Sequence, residues 1–243
     1  MNNSAAPFHN RTAILVGGGS GIGLEVARQY IAGGGSVVLG GRSAQRLSDA
    51  ATALGPSATW HVIDTGDPQS VADFMAPVHQ VDAVLTTAAT YVTGAISDLS
   101  EADARTPFES KFWGQFRVVR AALGKLSPEA AIVLMSGAAS VRPAGPAAAY
   151  VAANAAIEGL ARGLAVELSP VRVNAIAPGT IDGNLWGNRP QEIRAQAFDH
   201  ARRTTLVGRP GTEAEVASAV IGLFSNTYMT GNTIYVDGGY SLR

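Results

Sequence analysis

At 243 residues the chain is long enough for one large α/β unit or two small ones. Apolar residues make up 47% and charged residues 15%, the composition of a globular protein with a large buried core. A formal net charge of −1 argues against nucleic acid or an anionic membrane as the main partner, and the absence of cysteine excludes disulfides, thiolate nucleophiles and cysteine-held metals.

The N-terminal stretch MNNSAAPFHN lacks a basic residue followed by an apolar run, so it does not read as a secretory signal. No later segment is apolar for long enough to span a bilayer, and the expectation is a soluble, cytoplasmic protein. Short apolar runs then alternate with longer helical patterns. Strands are expected at Thr12–Val16, Ser36–Leu39, Thr59–Ile63, Ala83–Thr86, Ala131–Met135, Val171–Ala175 and Thr233–Val236. Helices are expected at Ile22–Ala32, Ala44–Leu54, Gln69–Val78, Thr106–Leu126, Ala148–Leu168 and Glu213–Phe224, where apolar residues recur at roughly helical spacing. Asp98, Glu101 and Asp103 read as an acidic loop leading into a helix. Alternation repeated this often implies parallel strands joined by right-handed crossovers. Strands covered on both faces read as continuous apolar runs, as AILV, SVVLG and AIVLM do. The fold class is therefore α/β: a doubly wound parallel sheet of about seven strands, Rossmann-type, with helices on both faces. It forms one domain over residues 1–243, with a lid at about 182–209 where a polar excursion leaves the sheet.

The segment LVGGGSGIGLEVARQY places Gly17, Gly21 and Gly23 directly after the first strand and at the opening of the first helix. Gly17 suits the tight turn, Gly21 lets backbone approach a pyrophosphate, and Gly23 lets the helix pack close to the sheet. The helix N-terminus offers N–H groups to phosphate, so Gly19, Ser20 and Ile22 join the expected dinucleotide contacts. At the end of the second strand Gly41 stands where an acidic residue would bind the ribose hydroxyls of NAD, and Arg42 follows. A guanidinium there can hold a 2′-phosphate by paired hydrogen bonds, which points to NADP(H); the alternative is a solvated surface arginine.

The chain resembles the short-chain dehydrogenase/reductase family over nearly its whole length. The resemblance is carried by GGGSGIG (Gly17–Gly23), Asp64, Tyr150, VRVNAIAPG (Val171–Gly179), GRPGTEAEVA (Gly208–Ala217) and TGNTIYVDGGYS (Thr230–Ser241). It implies that Asp64 and Thr65 lie beside the adenine, that Pro178, Gly179 and Ile181 line the nicotinamide, and that Ala88 belongs to the cofactor wall. It implies too that Tyr150 is the general acid, and that the chain forms homodimers or homotetramers through the two long helices.

The chain departs from the family pattern at the catalytic positions. YVAAN puts Asn154 where a lysine belongs, KFWGQF puts Lys111 where an asparagine belongs, and Gly137 takes the usual serine position. TTAA (Thr86–Ala89) replaces NNAG, and Gly183 replaces a threonine. A free phenol, with a pKa of about 10, needs help to exchange protons near neutrality. In one reading Lys111 supplies that help from a neighbouring helix, Asn154 binds the ribose, and Ser136 or Ser140 polarises the carbonyl of a small organic substrate. In the other, the protein binds NADP(H) without catalysis, as a sensor or partner subunit. Trp186 and Tyr91 fall where a pocket wall would be. The four histidines lack metal-ligand spacing, and no metal is expected.

Overall fold

A computed structural model describes residues 6–187 and 189–242. Readings that concern residues 1–5, 188 and 243 lie outside the described residues. Seven parallel strands form one sheet in the order β3-β2-β1-β4-β5-β6-β9: β1 Thr12–Val16, β2 Ser36–Gly41, β3 Ala58–Val62, β4 Val81–Thr86, β5 Leu126–Met135, β6 Arg172–Pro178 and β9 Thr233–Val236. This is the Rossmann-type α/β sheet expected from the alternation. The order reverses at β1, and in such sheets the crevice for ligands opens at the carboxyl ends of the strands beside that reversal.

Two apolar layers hold the helices to the two faces. One contains Leu15, Val26, Tyr30, Leu39, Leu85, Val133, Val216, Val220 and Phe224, and packs α1 (Gly21–Ala32) and α9 (Glu213–Ser225) on the sheet. The other contains Ile14, Phe74, Val84, Val118, Ile132, Leu134, Ile157 and Leu164, and packs α3 (Pro68–Met75), α5 (Gly114–Ala122) and α6 (Ala148–Glu167) on the opposite face. Alternate residues of one strand serve opposite layers, as Ile14 and Leu15 do, because side chains leave a strand on alternating sides. The helix α2 (Ala44–Leu54) closes the edge beside β3.

The carboxyl end of α9 is closed by Arg172, which is 8% exposed. Its guanidinium donates to the carbonyls of Leu223 and Phe224, each at 2.8 Å, and of Met229 at 3.2 Å. A helix end leaves four carbonyls without partners and carries partial negative charge, so a buried cation there serves both needs. Arg172→Met is expected to lower stability by about 3 kcal/mol, the scale of losing charged hydrogen bonds at a buried site. An unchanged melting temperature would show that those carbonyls are satisfied otherwise.

The expected helix Thr106–Leu126 is a different object. It begins earlier, as α4 (Glu101–Pro107), so Glu101 and Asp103 occupy a first helical turn capped by the Ser100 side chain rather than a loop. Pro107 has no N–H to give to the Asp103 carbonyl, and the Thr106 hydroxyl donates there instead, at 2.7 Å. The following six residues, Phe108–Trp113, wind as a wide π-helical turn before α5 resumes at Gly114. Such turns occur mostly as short insertions in α-helices, frequently at functional sites, and this one carries Lys111.

The polar excursion is also more ordered than a loop. It contains a short turn of helix, α7 (Asn184–Gly187), and a 14-residue helix, α8 (Gln191–Thr204). Its two ends are tied down by short paired strands, β7 (Ile181–Asp182) and β8 (Gly211–Thr212), and by Leu206 N–H donating to the Gly238 carbonyl at 2.8 Å. Among the described residues no helix is long and apolar enough to cross a membrane.

Candidate active site

A cleft of about 1180 Å³ follows the carboxyl ends of the strands. Its lining includes Gly17, Gly19, Ser20, Gly21 and Ile22 of the glycine turn, Arg42, Asp64, Thr65 and Ala88 beyond the strand ends, and Tyr150, Pro178, Gly179 and Ile181. Segments far apart in sequence converge because each follows a strand that ends on the same side of the sheet. Gly17 has φ +89, and a Cβ on Gly23 would lie 2.4 Å from the Gly17 carbonyl oxygen. Turn and helix are therefore as close as backbone can come. Ser20 makes no side-chain cap to α1, so the first N–H groups of that helix remain for a ligand beside Gly21 and Ile22. This cradle fits a pyrophosphate.

Arg42 is exposed just beyond β2 and donates to the Thr90 hydroxyl at 3.1 Å. Ser43 and Arg46 line the same part of the cleft. The sequence reading did not single out either, because a helix-capping serine and an arginine in the first turn of α2 carry no local mark of a ligand.

Tyr150 also lines the cleft, half-buried near the head of α6. The Lys111 ammonium sits 4.9 Å from the centre of its ring. Lys111 is 5% exposed and donates to the Ser136 carbonyl at 3.1 Å and to Asn154 Oδ1. The wide turn 108–113 and α6 pack together, so residues 43 apart in sequence share one hydrogen bond. Burial lowers the pKa of Lys111, opposed by the Tyr150 phenol beside it. Burial pushes the Tyr150 phenol up, but the Lys111 charge and hydrogen bonds from Tyr91, Asn154 and Lys111 together bring it below its ordinary value.

Two expected roles do not match the geometry. Asn154 is fully buried beneath the cleft, its Nδ2 donating to the Tyr150 carbonyl at 2.8 Å while its Oδ1 accepts from Lys111. It holds the lysine, and with no exposed surface it presents none to the cleft. Ser136 is 3% exposed, with its hydroxyl 2.9 Å from Glu158 Oε1 and 3.0 Å from the Asn154 carbonyl. Both neighbours are acceptors, so the one hydroxyl proton is committed inside the protein, away from a substrate carbonyl. The Ser140 hydroxyl is buried and is not among the cleft residues.

Two residues matter here that the sequence reading missed. Glu158, buried beside Ser136, also accepts from the Tyr235 hydroxyl at 2.9 Å. Glu213, at the first position of α9, lines the cleft next to the glycine turn and accepts from the Asn184 N–H at 2.7 Å. A Cβ on Gly183 would lie 2.2 Å from Glu213 Oε1, so the loss of threonine at 183 and the carboxylate at 213 fit one another.

A family model described as Enoyl-(Acyl carrier protein) reductase matches residues 17–241. The chain belongs to the short-chain dehydrogenase/reductase family. Galactitol 2-dehydrogenase (L-tagatose-forming) from Cereibacter sphaeroides is 31% identical over 95% of this chain and 94% of that protein. Among solved structures of the family, a small-chain dehydrogenase in complex with NADPH is 28% identical, with a TM-score of 0.81 over 96% of this chain and 100% of the other. An NADPH-bound short chain oxidoreductase from Pseudomonas aeruginosa PAO1, described as containing an atypical catalytic center, is 27% identical. Its TM-score is 0.87 over 96% of this chain and 98% of that one.

Proposed function

We propose that the protein is an NADP(H)-dependent oxidoreductase that reduces a carbonyl, or oxidises an alcohol, on a small organic molecule at a rearranged catalytic site. The observation that carries this reading is the buried Lys111 ammonium 4.9 Å from the Tyr150 ring, bonded to Asn154 and to the Ser136 carbonyl. A binding protein has no need of a buried cation that lowers the pKa of a phenol facing the cleft.

In this reading the glycine turn and the head of α1 bind the pyrophosphate, Asp64 and Thr65 flank the adenine, and Pro178, Gly179 and Ile181 hold the nicotinamide ring in place. When bound, the reduced nicotinamide supplies the hydride that reaches the carbonyl carbon. Tyr150 gives its phenolic proton to the carbonyl oxygen, and the adjacent ammonium stabilises the phenolate left behind. Asn154 and the Ser136 carbonyl keep Lys111 from turning away. Trp186, leaning edge-on against Phe198 in the lid at about 182–209, forms an aromatic wall for an apolar part of the substrate. The exposed face of α6, with Ala152, Ala155, Gly159 and Gly163, suits close approach of a second copy of the chain in a homodimer or homotetramer.

The test is NADPH oxidation against a panel of ketones, aldehydes and quinones, together with binding of NADPH and NADH. Turnover and a preference for NADPH are expected. Arg42→Ala is expected to weaken NADPH binding by about 10–100-fold, the scale of lost charged hydrogen bonds, and to leave NADH binding nearly unchanged. Tight NADPH binding with silence across the panel would favour a sensor or partner subunit instead. A wild-type preference for NADH would overturn the role of Arg42.

A further inference from the structure

The arrangement at Tyr150 lacks one part. A carbonyl oxygen that gains negative charge needs a second donor besides the acid, held at the place where that charge develops. Gly137 has no side chain to offer. Built onto it, a Cβ would stand 3.5 Å from the Tyr150 hydroxyl and 3.3 Å from Asn154 Oδ1. The Ser136 proton is taken by Glu158 or the Asn154 carbonyl, and the Ser140 hydroxyl is buried outside the cleft.

Tyr91 fills the gap from another direction. It follows β4 in the loop beyond Thr86, lines the cleft, and brings its hydroxyl to 3.4 Å from that of Tyr150. The two rings lie 4.5 Å apart with planes tilted by 30°, so both phenols point into the same space. An oxygen about 2.8 Å from each hydroxyl fits over a pair spaced in this way.

We propose that Tyr91 is a second catalytic residue, whose O–H donates a hydrogen bond to the substrate carbonyl oxygen while Tyr150 delivers its proton to the same oxygen. This rests on the oxidoreductase reading above. The Tyr150 O–H bond breaks and the substrate O–H bond forms. A bound NADPH would supply the hydride: its nicotinamide C–H bond would break as the new bond to the carbonyl carbon forms, the C=O π pair would move onto the oxygen that takes the Tyr150 proton, and the Tyr91 O–H bond would stay intact throughout. The environments of the two phenols separate their tasks. Burial, the Tyr150 charge and the Tyr150 hydrogen bond raise the Tyr91 pKa against the opposing charge of Arg189, so Tyr91 keeps its proton. Tyr150, nearer to Lys111, is the one that gives its proton up.

The experiment compares wild type, Tyr91→Phe and the double variant Tyr91→Phe/Gly137→Ser in NADPH-linked reduction of the best panel substrate. Tyr91→Phe is expected to lower kcat by about 100-fold, the scale of losing one such donor, with NADPH affinity within about twofold of wild type. Because a side chain at 137 is directed at the Tyr150 hydroxyl, the added serine is expected to recover at least about tenfold of the lost kcat. A working wild type whose kcat is untouched by Tyr91→Phe overturns the role of Tyr91 and leaves the oxidoreductase reading standing. A loss that the serine does not repair marks Tyr91 as a packing residue and overturns it equally. A wild type silent on the whole panel overturns both.

Discussion

Lys111→Met is expected to lower turnover by about 10²–10⁴-fold, the usual scale of a general acid–base contribution, while NADPH affinity changes far less. The substitution keeps the length of the side chain and removes its charge. Asn154 Oδ1 and the Ser136 carbonyl then lose a shared donor, and the Tyr150 phenol loses the cation that offsets its burial. The pH dependence has a definite sign. Carbonyl reduction needs Tyr150 protonated, so its rate falls as pH rises through the lowered pKa of that group. Alcohol oxidation needs the phenolate and rises over the same range. In Lys111→Met the Tyr150 pKa moves up, so both limbs shift to higher pH and alcohol oxidation near neutrality suffers most. Initial rates in both directions across pH, with NADPH binding measured alongside, check this. Unchanged turnover would remove Lys111 from the chemistry.

Gly23→Ala should be the more damaging change to the cofactor site. Its new methyl group would lie 2.4 Å from the Gly17 carbonyl oxygen and 2.8 Å from the carbonyl carbon. Both belong to backbone at the tightest part of the turn, so no side chain can swing aside. Overpacking of this kind costs about 1–3 kcal/mol even where a core can yield. Here the strain moves the turn that would hold the pyrophosphate. NADPH binding weaker by at least about 100-fold is expected, with a lower melting temperature. Gly222→Ala in α9 is the control: it is exposed, a Cβ there meets nothing within 4 Å, and it is expected to gain up to about 1 kcal/mol. A Gly23→Ala protein that binds NADPH like wild type would show that the turn tolerates displacement.

The sequence was most legible where function depends on local backbone. Thr12–Val16 and Thr233–Val236 form strands with the expected bounds, and Ala44–Leu54 forms the expected helix. The glycine turn could be read directly because its geometry depends on residues within a few positions of one another. The span Thr106–Leu126 differs from a single helix for a physical reason. Its apolar spacing is nearly continuous, and only the missing N–H of Pro107, answered by Thr106, hints that the winding changes. The segment around α8 reads as a polar excursion because α8 is an exposed helix whose buried side chains are Phe198 and Ala201, too few to give a strong pattern.

The chain order of residues by itself determined a parallel α/β sheet, a tight glycine turn at Gly17–Gly23 and a departure from the family pattern at 111, 137 and 154. Those features are written in periodicity, glycine placement and residue identity. Only the tertiary structure decided what the residues at those departures touch. It brings Lys111 to Asn154 and beneath Tyr150, turns the Ser136 hydroxyl inward to Glu158, and sets Tyr91 beside Tyr150. The reason is that hydrogen bonds between side chains 22 to 59 residues apart depend on how strands are ordered and how a turn is wound. No local spacing in the sequence encodes either.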